Sequence, residues 1–248
     1  MKQYTIPKWA TYGILLISSV LFIFFFSTTT SPLFSHYPFW FYGDSGVFQE
    51  IGICILKGGT PYVDLFDHKG PVLWFIQAFG IWISHRWGLM LLQSISLFCT
   101  LLLWFKAALL LCDKQIPSLI TTILILLFLI AFYEHGNLCE EWSLPFISLP
   151  IFLYIKRWKT TQNSKEPVYY HIDIFSLGLC VGILAMIRLN NTAPIIGFAL
   201  WHFIRCIQAK EYKRMWADVA LTIGGVVIIF LLCSVFYLIK AGWDGVLK

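Results

Sequence analysis

The stretch PVLWFIQAFGIWIS, residues 71–84, decides how this chain is threaded. It is apolar enough for lipid, yet at about 14 residues it falls short of the roughly 20 that a helix needs to cross a bilayer. The surrounding sequence defines its solvent. Of 248 residues, 58% are hydrophobic and 12% are charged, with mean hydropathy +0.75, whereas an average soluble domain is about 25% charged. Seven other apolar blocks, at about 10–28, 88–111, 116–132, 142–155, 174–187, 192–204 and 217–239, are separated by polar loops. The pattern predicts an all-α integral membrane protein. The first block follows Lys2 and Lys8 but exceeds a signal h-region, and the SerThrThrThrSer after it is a poor cleavage site, so it reads as a retained span.

Positive charge decides whether residues 71–84 cross. If they do not, and the N-terminus is cytoplasmic, 12 of the 18 Lys and Arg fall inside, including Lys106, Lys114, Lys156, Arg157, Lys159, Arg205, Lys213 and Arg214. If they do, the cluster KRWKTTQNSK is placed outside, against the positive-inside bias. The expectation is therefore seven spans, with residues 71–84 as a helix at the outer surface. Eight of the thirteen acids then collect outside, although acids do little to set orientation. The net charge of +5 sits in short inter-helix loops and does not point to nucleic acid. The seven cysteines have no CxxC spacing and read as packing residues.

The first outer loop, residues 31–87, is predicted to hold two juxtamembrane helices. Val47, Phe48, Ile51, Cys54 and Ile55 share one helical face, predicted to lie apolar side down in the membrane interface. GlyGlyThrPro at 58–61 ends that helix, and Pro71 suits the first turn of the next. Trp74, Trp82 and Trp87 fit an interfacial belt. Asn137 is expected in an accessible outer loop.

Between the two helices sits TyrValAspLeuPheAspHisLys, 62–69. Taken singly, its polar residues have structural readings. Asp44 is placed to cap the first helix. Asp64 and Asp67 suit turn formation. Arg188, at the end of a span, is placed either to snorkel or to hold an anion by paired hydrogen bonds. Taken together, Asp44, Asp64, Asp67, His68 and Lys69 share one predicted side with Glu140, Glu141, Arg188, Asn190 and Asn191, a density that points to a site. Gly178, Gly182 and Ala185 would let the Arg188 helix pack closely on a neighbour.

These residues resemble a family. Asp44 ahead of an amphipathic helix, GGTPYVD, and LysGlyProValLeuTrp at 69–74 are similar to the first loop of the C-fold-class polytopic glycosyltransferases. The likeness is to the bacterial branch related to protein mannosyltransferases and lipid A aminoarabinose transferases, whose signature is Lys-Pro-Pro-Leu-x-Tyr-Trp. Glu140 or Glu141 resembles an acid after the family's third span, and Arg188 a basic residue ending the fifth. The chain departs from the pattern in having Ser45 after Asp44, Gly70 in place of the first proline, and either Asp64 or Asp67 as the second acid. Family members usually continue past the seventh span, so this single module, residues 1–248, reads as a minimal module, as a relative that lacks a C-terminal continuation, or as half of a larger assembly.

The resemblance implies sugar transfer from a polyprenyl-phosphate donor to a lipid, glycan or protein acceptor at the outer leaflet of the plasma (inner) membrane. It implies Asp44 as base, with Lys69, Arg188 and His68 stabilising the departing phosphate. Asp64, Asp67, Glu140 or Glu141 would order that set or hold a divalent metal, for which their oxygens suit magnesium, manganese or calcium without a recognised spacing. No other cofactor is expected. The rival readings are a flippase for lipid-linked sugars, which would place charges at mid-span and show repeated halves, and a non-catalytic membrane subunit.

Overall fold

The computed structural model describes residues 6–34, 43–163 and 171–246; Lys2, Lys165 and Lys248 lie outside them. Nine helices are described: α1 (Lys8–Phe26), α2 (Asp44–Leu56), α3 (Pro71–Ile83), α4 (Gly88–Cys112), α5 (Gln115–Leu129), α6 (Cys139–Asn163), α7 (His171–Ala185), α8 (Ala193–Gln208) and α9 (Tyr212–Val246). Only short 3-10 turns and one isolated bridge, Pro61 to Leu65, add to these among the described residues. Four segments are long and apolar enough to cross a membrane: Lys8–Phe26, Gly88–Cys112, Gln115–Phe132 and Tyr212–Lys240. Pro71–Ile83 and His171–Ala185 are shorter apolar helices.

The long helices run up and down between two ends. At the first end, the Thr29 N–H after α1 donates to His135 O ahead of α6 (3.1 Å), and Gly70 N–H ahead of α3 donates to Ile187 O after α7 (3.0 Å). At the second end, Gln115 Nε2 of α5 reaches Ile6 O and Thr11 Oγ1 beside the start of α1 (2.7 and 2.9 Å). There too, Lys159 near the end of α6 pairs with Asp113 just past α4.

One apolar core joins α1, α4 and α5 through Leu15, Phe22, Leu97, Leu101 and Leu126. A second joins α2, α3, α4 and α6 with the chain after α7 through Phe48, Ile51, Leu73, Trp74, Leu89, Trp142 and Ile187. Glycine also sets a close helix contact between α7 and α9. A Cβ on Gly178 of α7 would stand 2.3 Å from Thr222 O of α9, and one on Gly225 of α9 would stand 2.6 Å from Leu179 N. The expected close packing along the small-residue face of α7 is thus made on α9.

Two expectations for the first loop change. Phe48 and Ile51 of α2 are spent on protein, packed against α3, not on lipid. Trp74 is fully buried, tilted against Phe48 at 5.6 Å, while Trp82 and Trp87 remain exposed. The belt reading fails for Trp74 because the first turn of α3 faces the core. Fully burying such a side chain contributes about 1.5–3 kcal/mol, and its indole N–H finds a partner in Tyr62 Oη at 3.1 Å.

Candidate functional site

The site begins at a helix end. Gly58 adopts the left-handed conformation (φ 91°), Gly58 N–H donates to Ile55 O (3.0 Å) and Gly59 N–H to Cys54 O (2.9 Å). This is the Schellman pattern that ends α2. The chain then folds back on itself. Asp64 Oδ2 accepts the Thr60 N–H at 2.7 Å, so Asp64 forms the turn. Tyr62, with φ 69°, donates N–H to Leu65 O (2.7 Å), and its hydroxyl donates to Lys69 O. Burial pushes the Tyr62 phenol up to about 12, keeping it a neutral donor.

Gly70 carries the loop to the end of α7. Besides the Gly70 bond to Ile187 O, Val72 N–H donates to Met186 O at 3.0 Å, and a Cβ on Gly70 would stand 2.1 Å from Met186 O. A proline here would lose the Gly70 N–H and meet the Met186 carbonyl. Glycine at position 70 therefore has a steric and hydrogen-bonding cause.

That crossing sets Lys69 inside. Its side chain is 4% exposed, and Nζ lies 3.1 Å from Asp44 Oδ2, 3.5 Å from Asp67 Oδ1 and 5.2 Å from the centre of the Phe48 ring. Asp67 is 10% exposed and also meets His68 Nδ1 at 3.0 Å. Of the two candidate acids, Asp67 joins Lys69 and Asp64 does not. Asp44 is 57% exposed and is the first residue of α2, with Gly43 in the cap position. Its carboxylate faces Lys69, and this pairing replaces the capping reading.

Arg188 follows α7 and pairs through Nη1 with Glu140 of α6. Asn191 ties the same turn to α6, donating to Cys139 O (3.2 Å) and Ser143 Oγ (2.7 Å). Cys139 lies within electrostatic range of Glu140, Lys69, Arg188 and Asp44. The fold thus gathers Asp44, Asp67, His68, Lys69, Glu140 and Arg188 at one end of the bundle.

Glu141 points elsewhere. Its Oε2 accepts Leu138 N–H at 3.1 Å and Gln93 Nε2–H at 3.4 Å, and Gln93 Oε1 accepts from Ser27 at 3.1 Å. One residue ahead of the apolar run that starts at Trp142, this buried carboxyl is pushed up to about 7 by desolvation, against lowering by backbone N–H bonds.

Asn137 is not in an accessible loop. It is fully buried with φ 66°; Nδ2 donates to Ser45 Oγ (2.9 Å) and Gln77 Oε1 (3.0 Å), and Oδ1 accepts from Gln77 Nε2 (2.7 Å) and Trp142 Nε1 (2.9 Å). It staples α2, α3 and α6 beneath the charged cluster. Sequence reasoning missed Asn137, Gln77, Gln93 and Tyr62. The available signal was the two glutamines inside apolar blocks, since a buried amide demands partners. Among the described residues, no group of three or more His, Cys, Asp or Glu converges as a metal cage.

Comparison with known proteins supplies no family. No family model matches the chain, and no curated protein or solved structure matches it significantly.

Proposed function

We propose that this chain is a membrane glycosyltransferase module. It would move a sugar from a polyprenyl-phosphate donor to a hydroxyl or amine of a lipid, glycan or protein at the outer leaflet of the plasma membrane. The observation that carries the reading is the convergence of Asp44, Lys69 and Asp67 with Arg188 and Glu140 around the start of α6. The reading keeps seven crossings, a cytoplasmic N-terminus, and α2 and α3 on the outer side. Its support is that the first loop and the ends of α1, α5 and α7 share one end of the bundle, opposite most of the Lys and Arg.

In the proposed step the acceptor oxygen attacks the anomeric carbon while the bond from that carbon to the donor phosphate breaks. The acceptor proton passes to the Asp44 carboxylate, and polyprenyl phosphate leaves with the bonding electrons. Asp44 suits a base because it is exposed enough to meet an acceptor. Lys69 is buried between two carboxylates and fits a positioning role, holding Asp44. The Arg188 guanidinium is half exposed and, among the described residues, pairs with one exposed glutamate, a pairing worth about 0–1 kcal/mol, so a phosphate can replace Glu140 on it. His68 stands at the surface as a second cation for the phosphate when protonated.

The test is release of polyprenyl phosphate by reconstituted protein from a panel of polyprenyl-phosphate hexoses and pentoses. Asp44→Asn should lower kcat by about 10²–10⁴-fold, and Arg188→Gln should chiefly raise KM for the donor. Transfer by Asp44→Asn at the wild-type rate removes Asp44 as base. Flipping of the donor without transfer by the wild type removes the enzyme reading.

A further inference from the structure

The second end of the bundle holds a cavity of about 460 Å³ between α6, α7, α8 and α9, within the roughly 300–1,000 Å³ typical of small-ligand sites. It is separate from the charged cluster. Arg157, which lines it, lies 17 residues beyond Glu140 on α6, roughly 26 Å along a helix.

Three features define what fits. Arg157 and Arg205 line the cavity and have no carboxylate partner among the described residues. Asp173 lines it too; its Oδ2 accepts no hydrogen bond, and it has no cationic partner among the described residues. The other acid in the wall, Asp218, is engaged by His202 at 2.7 Å. Leu153, Leu177, Phe198 and Ile223 give the wall apolar surface, and Trp158 and Trp201 are exposed beside the arginines. Opposite charges held in one hollow without pairing call for a ligand that carries both. Arginine matches phosphate oxygens by paired bonds, a carboxylate matches an ammonium, and apolar walls with aromatic rims suit acyl chains at a water-lipid boundary.

We infer that this cavity binds a zwitterionic phospholipid with a primary-amine headgroup. The phosphate would sit on Arg157 and Arg205, the ammonium would face Asp173, and the upper acyl chains would lie along Phe198 and Ile223. His202, fixed by Asp218, forms part of the wall.

The test is native mass spectrometry of the full chain in detergent with phosphatidylethanolamine, phosphatidylcholine or phosphatidylglycerol added. Wild-type protein should retain the ethanolamine lipid on the order of tenfold better than either other lipid, about 1.4 kcal/mol. Asp173→Asn should erase the preference over choline, whose methylated nitrogen donates no hydrogen bond. The Arg157→Gln, Arg205→Gln double variant should lose both zwitterionic lipids. Equal retention of all three lipids by the wild type, a comparison that needs no variant, overturns the inference. So does a preference for phosphatidylglycerol, or displacement of the lipid by excess inorganic phosphate, which would assign the arginines to a free anion.

Discussion

The two ends of the bundle treat charge differently. At the first end, the buried Lys69 is held by Asp44 and Asp67, and the buried Asn137 uses both ends of its amide on α2, α3 and α6. At the second end, Arg157 and Arg205 face a hollow and meet no carboxylate among the described residues. The first arrangement is preorganised by the protein's own groups, which suits a site where atoms must be held for reaction. The second leaves Arg157, Arg205 and Asp173 to be completed by a ligand. Stability should therefore depend on the Asn137 and Lys69 groups at the first end and hardly at all on Arg157 and Arg205 at the second.

The sharpest way to break this contrast is Asn137→Ala. It strands the Gln77 amide and the Trp142 N–H, at about 1–3 kcal/mol per buried group, while Ser45 Oγ keeps the Gln49 Nε2–H bond at 3.3 Å. A loss of several kcal/mol, read as a large fall in thermal midpoint in detergent, is expected. Arg205→Gln, by contrast, should leave the midpoint nearly unchanged, and equal effects would abolish the distinction.

Next comes the Lys69 pair. Asp67→Leu alone leaves the buried ammonium with only the half-exposed Asp44 carboxylate at 3.1 Å and should cost about 1–3 kcal/mol. Adding Lys69→Met should recover much of that stability while leaving transfer impaired. A double variant as unstable as the single one would mean that the loss does not come from the Lys69 charge.

Titration sharpens the same end. The Glu141 carboxyl is raised from 4.5 to about 7 in the folded protein, so the fold binds its proton more tightly than the unfolded chain does. Its contribution to stability is full below about 4.5 and is lost as pH rises to about 7. Glu141→Gln should flatten that part of the stability profile, checked by thermal midpoints across the range. The last contrast lies within α3, and its exposed member carries the smallest expected effect. Trp74→Ala should cost about 3–5 kcal/mol as a core deletion, whereas the exposed Trp82→Ala should change stability in detergent by about 0.5 kcal/mol or less.

Much of the helix inventory was legible because hydrophobic blocks and their breakers act locally. Gly58 and Pro71 stop and start helices by backbone sterics alone, and both stand where they were expected. The neighbours Glu140 and Glu141 were interchangeable in sequence. They part because one helical step, about 100° around the axis, turns Glu140 toward Arg188 and Glu141 toward Gln93.

By itself, the sequence determined an all-helical chain made for lipid, and the short helix at 71–83 set among longer ones, because length and apolarity are summed along the chain. Only the tertiary structure decided that Asp67 and not Asp64 joins Lys69, that Gly70 must lack a side chain, and that Trp74 faces protein and not lipid. The last two depend on Met186 and Phe48, distant in sequence, and the first on how the Gly70 crossing onto Ile187 seats Lys69 beside Asp44; such contacts are fixed only when separate helices close on one another.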